Sequence, residues 1–239
     1  MKKKLITILL FFYSLALSAQ EASLLQVRTI AISPYGIESE AQLSGIYFDL
    51  TNLLLNQAKI DREHYIYPYA RIIHELKAGK TDLTIMFKYA ELAPYVEYIF
   101  PLPPLKNVVV GRKEQPLYSI NQLNGKTIAY LRGANFSDEI DKNIKINKYR
   151  VNDFSQAISM LEKGRVDAII GPLEPIYSAA KRLNLSKSFF GQPLIVSERI
   201  PWLQLSKKSI HKGSITKLKK EISALIEQGE LARLKSKYL

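Results

Sequence analysis

Leu76-Lys77-Ala78-Gly79-Lys80-Thr81-Asp82-Leu83-Thr84-Ile85 and, much later, Leu161-Glu162-Lys163-Gly164-Arg165-Val166-Asp167-Ala168-Ile169-Ile170 share one pattern: leucine, two residues, glycine, two residues, aspartate, then an apolar run. Each copy begins inside an amphipathic stretch, 72–78 in the first case and 158–163 in the second. A helix that stops at glycine needs the left-handed backbone there, and the apolar run behind it is short and continuous enough to be a buried strand. Asp82 and Asp167 stand at the strand entrances, where they are expected to bind backbone donors of the turn. Copies so far apart do not form a solenoid. They predict two lobes, each with its own helix-to-strand unit.

The rest of the chain fits around that pair. A β-branched run over 27–32 precedes a segment over 49–58 with Leu50, Leu53, Leu54 and Ala58 on one helical face, which starts a β-then-α rhythm. Pro101, Pro103 and Pro104 lie between the two copies and lead into the strand-like 108–110. Such a proline cluster is extended and stiff, and is the natural place for the chain to cross between lobes. Past the second copy, Gly191-Gln192-Pro193 and Pro201 flank another strand-like stretch, 194–196. A lysine-rich segment then carries Ile215, Leu218, Ile222, Leu225 and Ile226 on one face, read as a closing helix. The expected architecture is α/β, with residues 21–105 and 197–239 in the first lobe and 106–196 in the second. Two crossings make a hinge, and a cleft between hinged lobes is where small ligands bind.

The N-terminus, Met-Lys-Lys-Lys followed by an apolar run over 5–17 and then Ser18 and Ala19, has the layout of a cleavable secretory leader over 1–20. The run is too short to cross a bilayer comfortably. The chain has no cysteine, so neither disulfides nor a lipid-anchoring cysteine are expected. An exported, unanchored, periplasmic monomer follows. The formal net charge of +12 falls largely on the leader and on the solvated faces of the closing helical segment, and no nucleic-acid partner is expected. The three histidines have no metal-like spacing, and no phosphate loop, dinucleotide loop or serine-nucleophile motif occurs. No cofactor and no metal are expected.

Several further stretches resemble the family 3 extracellular solute-binding proteins across nearly the whole exported part. They are Gly45-Ile46-Tyr47-Phe48-Asp49-Leu50, Pro68-Tyr69-Ala70-Arg71 leading into the first glycine motif, Leu123-Asn124-Gly125-Lys126 with Arg132-Gly133, and Ile226-Glu227-Gln228-Gly229-Glu230-Leu231. The resemblance implies the two-lobe type II periplasmic binding fold, capture of a small polar or anionic solute without catalysis, and an inner-membrane ABC permease or a receptor as partner. Two positions depart from it. Where amino-acid-binding members carry an arginine that grips the ligand carboxylate, this chain has Met86-Phe87-Lys88-Tyr89. Where they carry an aspartate for the ligand ammonium, it has Pro172, with Glu174 two residues on.

The expected ligand-binding residues are Tyr35, Tyr69, Arg71, Phe87, Lys88, Arg132, Asn135 and Glu174. Tyr35 and Tyr69 stand where the family places aromatic rings about the ligand. Arg71, in a first helical turn, opposes the helix dipole and needs an anionic partner, either Glu75 or a ligand carboxylate. Arg132 and Asn135 flank a loop before a helix start. Glu174 is the displaced carboxylate; in a dehydratase of the cyclohexadienyl or arogenate type, which shares the fold, it would be the general acid. With the arginine fork lost but cations retained nearby, the expected ligand is an organic acid, a modified amino acid or a short peptide-like molecule ahead of a free α-amino acid.

Overall fold

The computed structural model describes residues 24–40 and 42–239; the leader expected over 1–20 lies outside them. The first part of the chain runs β1 (Leu25–Ile30), β2 (Ile37–Glu38), β3 (Leu43–Ser44), α1 (Ile46–Gln57), β4 (Arg62–Tyr67), α2 (Tyr69–Ala78), β5 (Leu83–Phe87) and β6 (Val96–Pro101). It continues with β7 (Leu105–Gly111), β8 (Thr127–Leu131), α3 (Asp138–Lys142), β9 (Asn147–Val151), α4 (Phe154–Glu162), β10 (Ala168–Pro172), α5 (Leu173–Arg182) and β11 (Leu194–Arg199). It ends with β12 (Pro201–Ser206), α6 (Ile215–Glu227) and α7 (Glu230–Tyr238).

Ten of these strands make two five-stranded sheets, one in the order β4-β1-β5-β12-β6 and the other β11-β7-β10-β8-β9. Read from β4 and from β9, the two sheets have the same plan: three parallel strands, then two more joined on by antiparallel pairings. The two glycine motifs feed β5 and β10, the middle strand of each sheet. Every residue of both strands is buried, as a strand covered on both faces requires.

The turns before these strands share their main bonds. Gly79 and Gly164 have φ of 77° and 66°, and the following amide reaches back to the helix, Lys80 N to Glu75 O at 2.8 Å and Arg165 N to Met160 O at 2.8 Å. This six-to-one bond satisfies carbonyls that the helix end leaves open. The two aspartates depart from the expected contact. Asp82 accepts from Gln26 N at 2.8 Å and Asp167 from Thr127 N at 2.7 Å. Those donors belong to the neighbouring parallel strand, because the turn delivers each aspartate beside the first residues of β1 or β8. Each aspartate's own amide also bonds the same partner's carbonyl, so the pair fixes the register of the parallel strands.

The closing segment also differs from a single helix. Gly229, with φ 81°, breaks it into α6 and α7, which pack on α1. Leu218, Ile222 and Leu225 are buried as the periodicity predicts. Among the described residues no helix is long and apolar enough to cross a membrane.

The chain leaves the first sheet after Pro101, enters the second at Leu105, and returns between Arg199 and Pro201. The crossings run side by side: Leu102 N donates to Pro201 O at 2.8 Å, Arg199 pairs with Leu105, and Trp202 with Pro101. A two-stranded ribbon therefore joins the lobes, stiffened on one side by Pro103 and Pro104.

Candidate functional site

The lobes meet at the ends of their middle strands. On the first lobe, the turn after β1 carries Tyr35, whose amide donates to Ile32 O at 2.8 Å. Its ring stacks on Tyr47 at 4.3 Å between centroids. Phe87 ends β5, and its strand is pinned by the buried Gln204 side chain, which donates to Met86 O at 2.7 Å and Phe87 O at 3.2 Å. On the second lobe, β10 ends at Gly171-Pro172 with the Phe154 ring against Gly171; a Cβ there would lie 2.4 Å from that ring. The Phe136 loop is held by Asn107, which donates to Phe136 O at 3.2 Å, and by Tyr130, whose hydroxyl accepts from Phe136 N at 3.1 Å.

These groups line a cavity of about 30 Å³ between the lobes, room for about one water. Tyr35, Tyr69 and Phe87 line it from the first lobe, and Leu131, Phe136 and Phe154 from the second. Tyr69 turns its hydroxyl away to that of Tyr89, and the backbone of Asn135 lies against the same Tyr89 hydroxyl. Burial holds the Tyr35 and Tyr69 phenols well above their ordinary pKa, so both stay neutral.

At the rim the lobes are tied by polar contacts. The Tyr35 hydroxyl donates to Glu174 Oε2 at 2.8 Å, Lys235 of α7 reaches Glu174 Oε1 at 3.2 Å, and the Ser33 and Ser178 hydroxyls lie 2.9 Å apart. Glu174 sits in the first turn of α5, where the helix dipole favours its charge. Both its oxygens are thus occupied from the opposite lobe.

The three expected cations lie outside the cavity. Arg71 gives its Nε to Glu75 at 2.9 Å and lays its guanidinium 3.6 Å over the Tyr67 ring, with 54% of its side chain exposed. Of the two anionic partners that Arg71 needed, this structure supplies Glu75. Burial opposes the Glu75 charge, but bonds from Arg71 and from Thr81 at 2.9 Å, with the buried Arg28 beside it, hold the carboxyl below its ordinary range. Lys88, one residue past β5, turns from the cavity onto Trp202, its Nζ 3.6 Å from the ring centroid. Arg132 is exposed and lines an open depression of about 410 Å³ with Pro68, Tyr69 and Asp153. A second depression, of about 470 Å³, borders Glu174 and is lined by Tyr177, Lys181 and Tyr238.

Sequence reasoning did not single out Tyr47, Leu131, Phe136 or Phe154, or the Ser33 and Ser178 pair. The apolar ones sit in core-like patterns, and nothing local marks them as facing a cleft. His64 belongs to a separate network in the first lobe. It stacks on Phe48 and bonds Thr29 and Asn52, while burial, Arg62 and Arg28 lower its pKa to about 3. Among the described residues no three His, Asp or Glu side chains are gathered for a metal ion.

Comparison with known proteins places this geometry. No family model matches the chain. A protein of Bacillus subtilis (strain 168) named probable amino-acid-binding protein YxeM is 24% identical over 214 residues, covering 86% of this chain and 79% of that one. Among solved structures, a mutant of ArgBP from T. maritima is similar with a TM-score of 0.75 and 20% identity, covering 90% of this chain and 94% of that one. A histidine kinase sensor domain with similarity to periplasmic binding proteins gives a TM-score of 0.78 at 13% identity, covering 90% and 96%. The fold is that of the two-lobed periplasmic binding proteins.

Proposed function

We propose that this chain, a two-lobed protein of the family 3 solute-binding type, is a periplasmic receptor that closes its lobes on a small solute, leaves it chemically unchanged and delivers it to an ABC importer of the inner membrane. The observation that carries this reading is the seam itself. Two sheets joined by a paired ribbon meet over a cavity lined from both sides, with Glu174 of one lobe held by Tyr35 and Lys235 of the other. The reading treats 21–105 with 197–239 as one lobe and 106–196 as the other, moving as a monomer about the ribbon. The relative from Bacillus subtilis, named as an amino-acid-binding protein, supports solute capture.

Equilibrium dialysis of the exported chain against mixed amino acids, aromatic acids and small amines, followed by mass spectrometry, tests the proposal. One solute retained unaltered at one per chain is expected. Glu174→Gln, which loses the charge-assisted half of the rim contact, should weaken retention about tenfold. Turnover of any solute, or retention of none, contradicts the reading.

A further inference from the structure

We infer that the solute enters the seam with an uncharged apolar body, of ring or branched-chain size, and keeps whatever charge it carries at the rim. This rests on the solute-binding reading and narrows its ligand. The side chains facing the cavity, among them Ile32, Met86, Phe87, Leu131, Phe136 and Phe154, present carbon or thioether groups. Tyr35 and Tyr69 spend their hydroxyls elsewhere, on Glu174 and on Tyr89.

Charge recognition is absent from that lining. Arg71 is held by Glu75 and Tyr67, Lys88 lies over Trp202, and Arg132 is at the surface. Glu174, the nearest carboxylate, is at the rim with Lys235 beside it. An ammonium, guanidinium or carboxylate carried inward would lose its water and meet no opposite charge, which is the costly case. Ring faces attract cations, but return less than desolvating the ion costs.

The closed seam adds a second argument. With only about 30 Å³ between the lobes, a solute must take the place of lobe-to-lobe contacts as it wedges between them. An apolar body replaces those contacts in kind. An amide or charged side chain would find none of its hydrogen bonds returned there. At the rim, each Glu174 oxygen accepts one bond and can accept another, so the solute's polar end can meet Glu174 beside Lys235.

The test is calorimetric titration of the exported chain at neutral pH with two sets of probes: phenylalanine, leucine and phenylacetate in one, arginine, glutamine and glutamate in the other. At least one probe of the first set should bind about a hundredfold more tightly than any of the second. Met86→Gln, close to methionine in shape but bearing an amide, should weaken that binding at least tenfold in protein whose circular dichroism is unchanged. Tighter binding of a second-set probe to the wild type would overturn the inference while leaving solute capture intact. Binding of neither set would overturn the inference, and retention of no solute in the dialysis would overturn the capture reading with it.

Discussion

Gly36→Ala is expected to cost about 3 kcal/mol of stability, at the upper end of what one inserted methyl does in a packed site. An added Cβ would lie 2.2 Å from the backbone oxygen of Ile30 and 2.9 Å from Thr29 Cγ2. The first obstacle is main chain at the end of β1, so no rotamer change relieves it. Gly36 N donates to Ile32 O at 3.1 Å in the same turn that carries Tyr35, so relief by backbone movement would shift the Tyr35 ring and its bond to Glu174. Denaturant unfolding should show a lower midpoint with an unchanged slope, and solute retention should fall as well. Gly213→Ala is the control. Nothing lies within 4 Å of its added Cβ, and its effect should stay within about 0.5 kcal/mol.

Asp82→Ala and Asp167→Ala should each cost about 2 kcal/mol, the scale of a hydrogen bond to a charged group together with the donor it leaves unmet. The two sites serve the same purpose in different sheets, Gln26 N in one and Thr127 N in the other. Their effects should therefore be of similar size and should add to within about 0.5 kcal/mol in the double variant. Asparagine keeps an acceptor oxygen and should recover about half of each loss. Chemical denaturation of the two single variants and the double checks all of this. A loss at one site without one at the other would remove the structural equivalence of the motifs.

That equivalence was legible because it is local. A helix stop, a left-handed glycine and a buried strand lie within ten residues, and each has its own sequence signature. The seam was legible only in part, because its partners are distant in sequence. Tyr35 meets Glu174, 139 positions further along the chain, and Phe154 faces Gly171 only once β10 and α4 have packed. Leu131 and Phe136 carry the apolar pattern of any core residue, and a cleft lining and a core differ in tertiary placement alone. The cations show the converse. Lys88 was a reasonable candidate by position, but the ring that takes it, Trp202, returns from the far end of the chain between β5 and β6. Arg71 did reveal its need for an anion, and the helical spacing to Glu75 was visible; the choice between that carboxylate and a ligand's was not.

The chain contains no cysteine, and the Ser33 and Ser178 hydroxyls face each other across the seam at 2.9 Å. A Ser33→Cys, Ser178→Cys double variant therefore places a single pair of thiols where oxidation would lock the lobes shut. Solute binding measured on the oxidised protein and again after reduction tests directly whether the solute enters between the lobes. Capture by closure predicts no uptake while the disulfide is intact and recovery of wild-type affinity once it is reduced; equal affinity in the locked and reduced states would contradict it.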